Sequence, residues 1–125
     1  MIIIGIDPST ATVGYAVIKT NTPKNTLPDR NEKPQILDFG CITTQAIYSA
    51  GDRLKTIHDE LNKLLKIHKP DLLSVESLYF FKNLKTAIPV SQAKGVILLA
   101  AANKNIPVYE FTPLQVKMTV VGYGR

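Results

Sequence analysis

The first part of the chain alternates short apolar runs with polar turns, a pattern typical of β-strands. The apolar segment Met1–Ile6 is predicted to be a strand buried on both faces that ends before Pro8, which cannot donate a ladder hydrogen bond. A second strand is predicted over Val13–Lys19, and the short polar turn before it implies an antiparallel hairpin. Thr20–Pro34 has no periodicity and is predicted to be an exposed loop, followed by a third strand over Gln35–Thr44.

The remainder of the chain alternates helical and strand patterns. Ser49, with Asp52 three residues later, resembles a helix-capping box, and apolar residues then recur at helical spacing as far as Leu65. The segments predicted after this helix are a strand over Leu72–Val75, a helix over Lys85–Asn103 that Pro89 opens or kinks, a strand over Ile106–Glu110 and a helix from Thr112 to about Val121. This order predicts a single α/β domain over residues 1–125 of the ribonuclease H-like type, with a mixed five-stranded sheet flanked by helices.

Composition narrows the class of protein without deciding its function. The longest apolar run, Gly95–Ala102, is too short to span a bilayer. We expect no signal peptide, because the N-terminus lacks a basic region with an apolar stretch of signal length and a small-residue cleavage site. Cys41 is the only cysteine, so we expect no internal disulfide, a cytoplasmic location and a buried thiol in the third strand. Fifteen basic residues against ten acidic ones give a formal charge of +5, which suits a polyanionic partner such as nucleic acid without requiring one.

Two carboxylates, Asp7 and Glu76, each follow a buried strand and precede a loop. If the two strands were adjacent and parallel, the carboxylates would emerge side by side and repel each other. A hard cation such as Mg²⁺ or Mn²⁺ removes that repulsion, and two such ions can align a water for phosphodiester hydrolysis. Taken separately, each residue also has a structural explanation, since Asp7 can initiate a turn at Pro8 and Glu76 can cap a helix or pair with a lysine. Together, on two core strands of a basic protein, they favour a metal site.

Motifs spread in order over nearly the whole chain resemble those of the RuvC-type Holliday-junction resolvases, the bacterial crossover junction endodeoxyribonucleases. The motifs are Gly5–Pro8 with Gly14–Tyr15, Val75–Glu76, Ser91–Gly95 and Gln115–Gly122. The resemblance implies a homodimeric, Mg²⁺-dependent nuclease, with Mn²⁺ as a substitute ion, that nicks two symmetric strands of a four-way DNA junction. It also suggests a branch-migration complex as a further partner.

The resemblance assigns roles to individual residues. Asp7 and Glu76 match two of the family's metal-binding catalytic acids. Tyr79 matches an aromatic position proposed to stack on an unpaired base at the crossover, and Lys117 matches a lysine near the scissile phosphate. Without the family, Lys117 would be interpreted as a solvated helix lysine. Charge alone suggests that Lys82, Lys85 and Lys94 contact the DNA backbone, and Gly95 is expected to allow close helix packing at the dimer interface.

Two departures from the family pattern carry expectations of their own. Ser9 occupies a position that is usually glycine, and it is expected to stiffen the turn beside Asp7 without loss of function. The chain ends at Arg125, before the family's last helix and its two aspartates. We therefore expect this chain to bind Mg²⁺ weakly, to cleave little or nothing, and to expose apolar surface that lowers stability or alters self-association.

Two other functions fit part of the sequence. A non-catalytic junction-binding or dimerisation module would need no complete metal site. An actin-like ATPase half-domain would also begin with a Gly-Ile-Asp hairpin, but the chain is too short for two lobes and has no second phosphate loop.

Overall fold

The computed structural model describes residues 1–9, 11–23, 32–76 and 84–111, which form a five-stranded sheet and two helices. In chain order the elements are β1 Ile2–Pro8, β2 Thr12–Lys19, β3 Gln35–Thr43, α1 Ala50–His68, β4 Leu72–Glu76, α2 Leu84–Asn103 and β5 Val108–Phe111. Tyr79, Lys82, Lys117 and the helix predicted from Thr112 lie outside the described residues.

The sheet is mixed, with strand order β3-β2-β1-β4-β5. β1 pairs with β2, and β2 with β3, in antiparallel fashion, whereas β1–β4 and β4–β5 are parallel pairs. The short polar turn between β1 and β2 forces the antiparallel hairpin, and α1 and α2 provide the crossovers that parallel neighbours require. The predicted α/β class, with a mixed five-stranded sheet and hairpins at its start, is confirmed.

The core lies between one face of the sheet and the two helices. Helix α1 turns Ile57, Leu61 and Leu65 toward the sheet at intervals of four residues, as its amphipathic pattern predicts. Its first turn is capped as expected, because the Ser49 side chain accepts a hydrogen bond of 3.2 Å from the Asp52 backbone N–H. The remaining core side chains come from the strands and from α2: Ile4, Ile6, Val13, Val17, Ile42, Leu73, Val75, Ala93, Ile97, Ala100 and Ala101.

The prediction that β1 is buried on both faces and ends before Pro8 is wrong. Burial alternates along the strand, with Ile4, Ile6 and Pro8 buried while Asp7 is exposed. The alternation arises because, among the described residues, both helices cover the same face of the sheet. The strand also includes Pro8, which lies at its last position opposite Val13, where a missing donor costs little.

The expectation of a buried Cys41 is also wrong, because this residue is exposed on β3. The register places Cys41 opposite Gly14 and Phe39 opposite Ala16, on the face of the sheet that the two helices do not cover. Phe39 is 74% exposed on that face. The expected exposure of apolar sheet surface is therefore present in the described part of the chain.

Gly40 on β3 lies tightly against Tyr15 on β2. A Cβ added at Gly40 would stand 2.9 Å from the Tyr15 hydroxyl and 3.2 Å from its ring carbon Cζ. We therefore expect Gly40→Ala to lower the free energy of unfolding by about 1–3 kcal/mol, since the half-buried ring must move out of its packed position. Urea denaturation measures this change.

The matched control for this substitution is Gly5→Ala, in the middle of the same sheet. Its nearest neighbour would be the Ala16 carbonyl oxygen at 4.0 Å, an ordinary contact, so the expected change in stability is within about 0.5 kcal/mol. Equal destabilisation by the two variants would contradict the packing explanation. No helix in the described part of the chain is long and apolar enough to cross a membrane.

Candidate functional site

Asp7 and Glu76 meet at the carboxyl ends of two parallel strands. The register pairs Ile6 of β1 with Val75 of β4, so the next residue of each strand is one of the two acids. Both acids therefore project from the same face of the sheet, and their side chains lie within hydrogen-bonding reach of each other. The adjacency that the sequence made conditional on parallel pairing is confirmed, whereas the catalytic and metal-binding roles of the two residues stay predictions.

The pKa of the Glu76 carboxyl is raised above its ordinary value of 4.5. Burial is the largest cause, followed by the hydrogen bond with Asp7 and by the negative charge of Asp7. Asp7 itself is exposed to solvent. Burial and the neighbouring Asp7 therefore both disfavour the charged form of Glu76.

The donor set fits a hard divalent cation. Mg²⁺ is usually held by one or two protein carboxylates and keeps several water ligands, so the Asp7 and Glu76 oxygens are of the type that this ion binds. A cation between Asp7 and Glu76 would also offset the negative charge of Asp7, which adds to burial in raising the pKa of Glu76. Among the described residues, no group of three or more histidine, cysteine, aspartate or glutamate side chains is placed to hold a metal ion.

The turn after Asp7 is fastened by the Ser9 side chain. The Ser9 hydroxyl donates to the Thr12 carbonyl oxygen at 2.6 Å, and the Ser9 backbone N–H donates to the same oxygen at 3.0 Å. A glycine at this position would lack the first of these bonds. The contact supports the expectation that Ser9 stiffens the turn beside Asp7.

The same turn is connected to the end of β3 and to helix α1. The Thr44 backbone N–H donates to the Ala11 carbonyl oxygen at 3.2 Å, and the Thr44 hydroxyl accepts a bond of 3.1 Å from Arg53 Nε. A cavity of about 140 Å³ lies between this turn, β3, α1 and α2, and Arg53 and Gln92 are among its polar lining residues. The segment from Thr44 to the start of α1 is therefore a neighbour of the Asp7 turn, which the sequence did not indicate.

The contact of Lys94 with the DNA backbone stays a prediction, and the structure gives this side chain a partner within the protein. The Lys94 side chain is only 15% exposed, and its Nζ lies 3.1 Å from a carboxylate oxygen of Glu110 on β5. The ion pair joins α2 to β5, so Lys94 has a structural role. Lys85 lies exposed in the first turn of α2.

Without metal, the free energy of unfolding should depend on pH in the way expected of a Glu76 carboxyl with a raised pKa. A carboxyl whose pKa is higher in the folded than in the unfolded state binds more protons when folded, so its contribution to stability falls as pH rises through the range just above 4.5. The test compares the free energies of unfolding of the wild type and of Glu76→Gln in buffer with EDTA. The wild-type value minus the Glu76→Gln value should decrease as pH rises through that range. Urea denaturation at a series of pH values measures the difference.

The control for this pH series is Glu60→Gln, on the exposed surface of α1 beside Lys63. Its difference from wild type, measured over the same pH series, gives the effect of replacing an exposed carboxylate that does not contact Asp7. A wild-type minus Glu76→Gln difference that rises with pH would contradict the assigned direction. Added Mg²⁺ should reduce the neutral-pH difference, because a bound cation compensates the charged pair.

The sequence matches known proteins over its whole length. The family model described as crossover junction endodeoxyribonuclease RuvC matches residues 3–125. The crossover junction endodeoxyribonuclease RuvC of Halothermothrix orenii is 45% identical over 125 residues, which are 100% of this chain and 70% of that protein. The RuvC protein of Finegoldia magna is 46% identical over 125 residues, covering 100% of this chain and 71% of the relative.

The fold matches a solved structure from the same group of proteins. RuvC of T. thermophilus, solved in complex with a Holliday junction substrate, superposes with a TM-score of 0.86 and is 30% identical in sequence. The superposition covers 100% of this chain and 71% of that protein. This likeness confirms the predicted ribonuclease H-like fold.

Proposed function

The chain belongs to the RuvC family of crossover junction endodeoxyribonucleases, and on that basis we propose that it nicks two symmetric strands of a four-way DNA junction as a Mg²⁺-dependent homodimer. The observation that carries the proposal is the pairing of Asp7 with Glu76 at the carboxyl ends of parallel β1 and β4. The T. thermophilus relative supports the substrate, because it was solved with a Holliday junction.

Asp7 and Glu76 would hold the ion in this proposal, and Mn²⁺ would substitute for Mg²⁺. When bound, the ion supplies positive charge for the phosphodiester and lowers the pKa of a water ligand. The protein holds the two carboxylates in register, and burial of Glu76 withholds part of its solvation, so the site favours a cation over two free charges. Ser9 keeps the following turn in place. Tyr79 would stack on an unpaired base, and Lys82 and Lys117 would contact the DNA backbone.

An exposed face of helix α2 supports the homodimer. Gly95 is exposed on this helix, and a Cβ added there would meet no atom of the described residues within 4 Å. Neither packing within the chain nor a positive φ therefore requires glycine, although glycine costs about 1 kcal/mol in a helix. Ile88 and Leu99 are 54% and 55% exposed on the same helix. Because Gly95 has no side chain, a second copy could pack closely against this face, and it would bury Ile88 and Leu99.

The experiment that tests the proposed function compares a four-way junction with a linear duplex of the same sequence. Gel shifts measure affinity for each DNA, and incubation with Mg²⁺, Mn²⁺ or EDTA measures cleavage. We expect preferential junction binding and no cleavage in EDTA. With Mg²⁺ or Mn²⁺ we expect paired nicks on opposite strands at a low rate at most, because the two described carboxylates give only part of a metal site. Affinity should also fall steeply with salt, because phosphate contacts release counterions.

The outcomes separate the candidate functions. Selective junction binding without cleavage in either metal would favour the non-catalytic junction-binding module, for which the two described carboxylates give only part of a site. Equal affinity for both DNAs would contradict the proposed substrate. A cytoplasmic location and a branch-migration complex as protein partner stay predictions, the second testable by co-purification with that complex on junction DNA.

A further inference from the structure

A continuous exposed segment precedes helix α1. Every residue from Gln45 to Asp52 is exposed, and two of them are large and apolar: Ile47 is 83% exposed and Tyr48 is 55% exposed. These two side chains form a small apolar surface on residues 45–48, which are here called the 45–48 turn. Exposed apolar side chains grouped in one turn are characteristic of a contact surface more than of a solvated loop.

The 45–48 turn is ordered by its own hydrogen bonds. The Tyr48 backbone N–H donates to the Gln45 carbonyl oxygen at 3.2 Å, which closes the turn. Ser49 then caps α1 by accepting from the Asp52 N–H, so the residue after Tyr48 is fixed to a 19-residue helix. The aromatic ring is therefore presented from a rigid support, which reduces the entropy that a binding partner must overcome.

The turn lies at the end of the sheet that carries the two acids. Thr44, the residue before it, donates a backbone hydrogen bond to Ala11, in the connection that follows Asp7. Arg53 binds the Thr44 hydroxyl from the first turns of α1 and so holds the other end of the segment in place. The 45–48 turn therefore lies at the same end of the sheet as Asp7 and Glu76, and Thr44 joins it to the connection that follows Asp7.

Charge and chemistry favour a nucleic-acid base as the occupant. The chain carries a formal charge of +5, and the only acidic residue of the exposed segment from Gln45 to Asp52 is Asp52 at its far end, in the first turn of α1. An exposed aromatic ring stacks on any base whose face is free, but bases within a duplex are already stacked on their neighbours. The branch point of a four-way junction is where such faces become available.

We propose that Tyr48, supported by Ile47, stacks on a base at the branch point of the DNA junction and forms a contact separate from that expected of Tyr79. The inference rests on the proposed function, since it requires a branched DNA substrate at the Asp7 and Glu76 end of the sheet. The contact discriminates junction from duplex by the accessibility of a base face, independently of sequence.

The test measures binding to a four-way junction and to a linear duplex in EDTA, so that cleavage does not enter. Tyr48→Ala is expected to weaken junction affinity about tenfold and duplex affinity by less than about twofold, in the range found for base stacking. Tyr48→Phe keeps the ring and should retain wild-type affinity. With 2-aminopurine at the branch point, the wild type and Tyr48→Phe should quench its fluorescence on binding, and Tyr48→Ala should quench it less.

A matched pair of isoleucine variants separates position from exposed apolar area. Ile47→Ala should weaken junction binding, whereas Ile67→Ala should not, because Ile67 is also highly exposed, at 71%, but lies in the last turn of α1. Circular dichroism confirms that each variant is folded. Sedimentation equilibrium shows whether Tyr48→Ala or Ile47→Ala changes the oligomeric state, which would assign the turn to a protein interface and overturn the proposal.

The remaining outcomes distinguish this inference from the proposed function. If the wild type prefers the junction and Tyr48→Ala binds it equally well with unchanged 2-aminopurine quenching, the stacking contact is refuted and the function stands. If Tyr48→Ala and Tyr48→Phe lose affinity equally, the hydroxyl and not the ring makes the contact, which also refutes stacking. If the wild type shows no preference for the junction, the proposed function fails first and this inference fails with it.

Discussion

Asp7→Asn is expected to reduce junction cleavage about a thousandfold, which corresponds to about 4 kcal/mol of transition-state stabilisation. The asparagine side chain has nearly the same shape but no negative charge, so the pair with Glu76 would lose the electrostatic reason to hold a divalent cation. Affinity for the junction in EDTA should be unchanged or slightly higher, because one negative charge is removed near the phosphates. Single-turnover cleavage and gel shifts on the same DNA measure the two effects.

A second readout of this substitution does not depend on cleavage. Electron paramagnetic resonance of Mn²⁺ should show weaker binding to Asp7→Asn than to the wild type. The control is Asp59→Asn, an exposed carboxylate on α1 whose loss should change neither cleavage nor Mn²⁺ binding. Loss of all junction binding in Asp7→Asn, or full cleavage with normal Mn²⁺ affinity, would contradict the assigned role.

Gly95→Arg is expected to weaken dimerisation about a hundredfold, near the upper end of the cost of overpacking a close interface. Within one chain, the new side chain has open space, and replacing a helical glycine should stabilise α2. The variant should therefore keep or gain thermal stability as a monomer while its dimer dissociates. Sedimentation equilibrium over a range of protein concentrations measures the dissociation constant.

The matched control for Gly95→Arg is Gly51→Arg. Gly51 is also an exposed helical glycine, and in the described part of the chain no atom lies within 4 Å of an added Cβ. The substitution adds the same charge. It lies on α1, outside the proposed interface, so its dimer should be as stable as that of the wild type. Equal dissociation by both variants would indicate a charge effect and not a close packing of α2.

The order and type of the described elements could be predicted from the sequence because each depends on local pattern. The capping box at Ser49 and the four-residue spacing of Ile57, Leu61 and Leu65 are sufficient to indicate α1. The apolar runs before Asp7 and Glu76 indicate strands that end at an acid, and the motifs around them indicate the family. These features depend on residues close together in the chain, so no knowledge of the tertiary arrangement is needed.

Burial and pairing could not be predicted in the same way, because they depend on which surfaces meet. Cys41 is a small apolar residue in a strand, yet it faces the side of the sheet that the described helices do not cover. Lys94 has the charge expected of a DNA contact, but its partner Glu110 is brought to it by β5, which comes later in the chain. The position of Thr44 beside the connection that follows Asp7 likewise depends on a hydrogen bond to Ala11, which is distant in the chain.

The sequence by itself determined that the chain is an α/β protein of the RuvC family and that Asp7 and Glu76 are its candidate acids, since strand patterns and motifs are properties of consecutive residues. Only the tertiary structure decided that β1 and β4 are adjacent and parallel. That pairing brings together two carboxylates separated by 68 intervening residues and raises the pKa of Glu76 through burial and through Asp7. Electrostatic coupling acts through space, so it exists only once the sheet has formed.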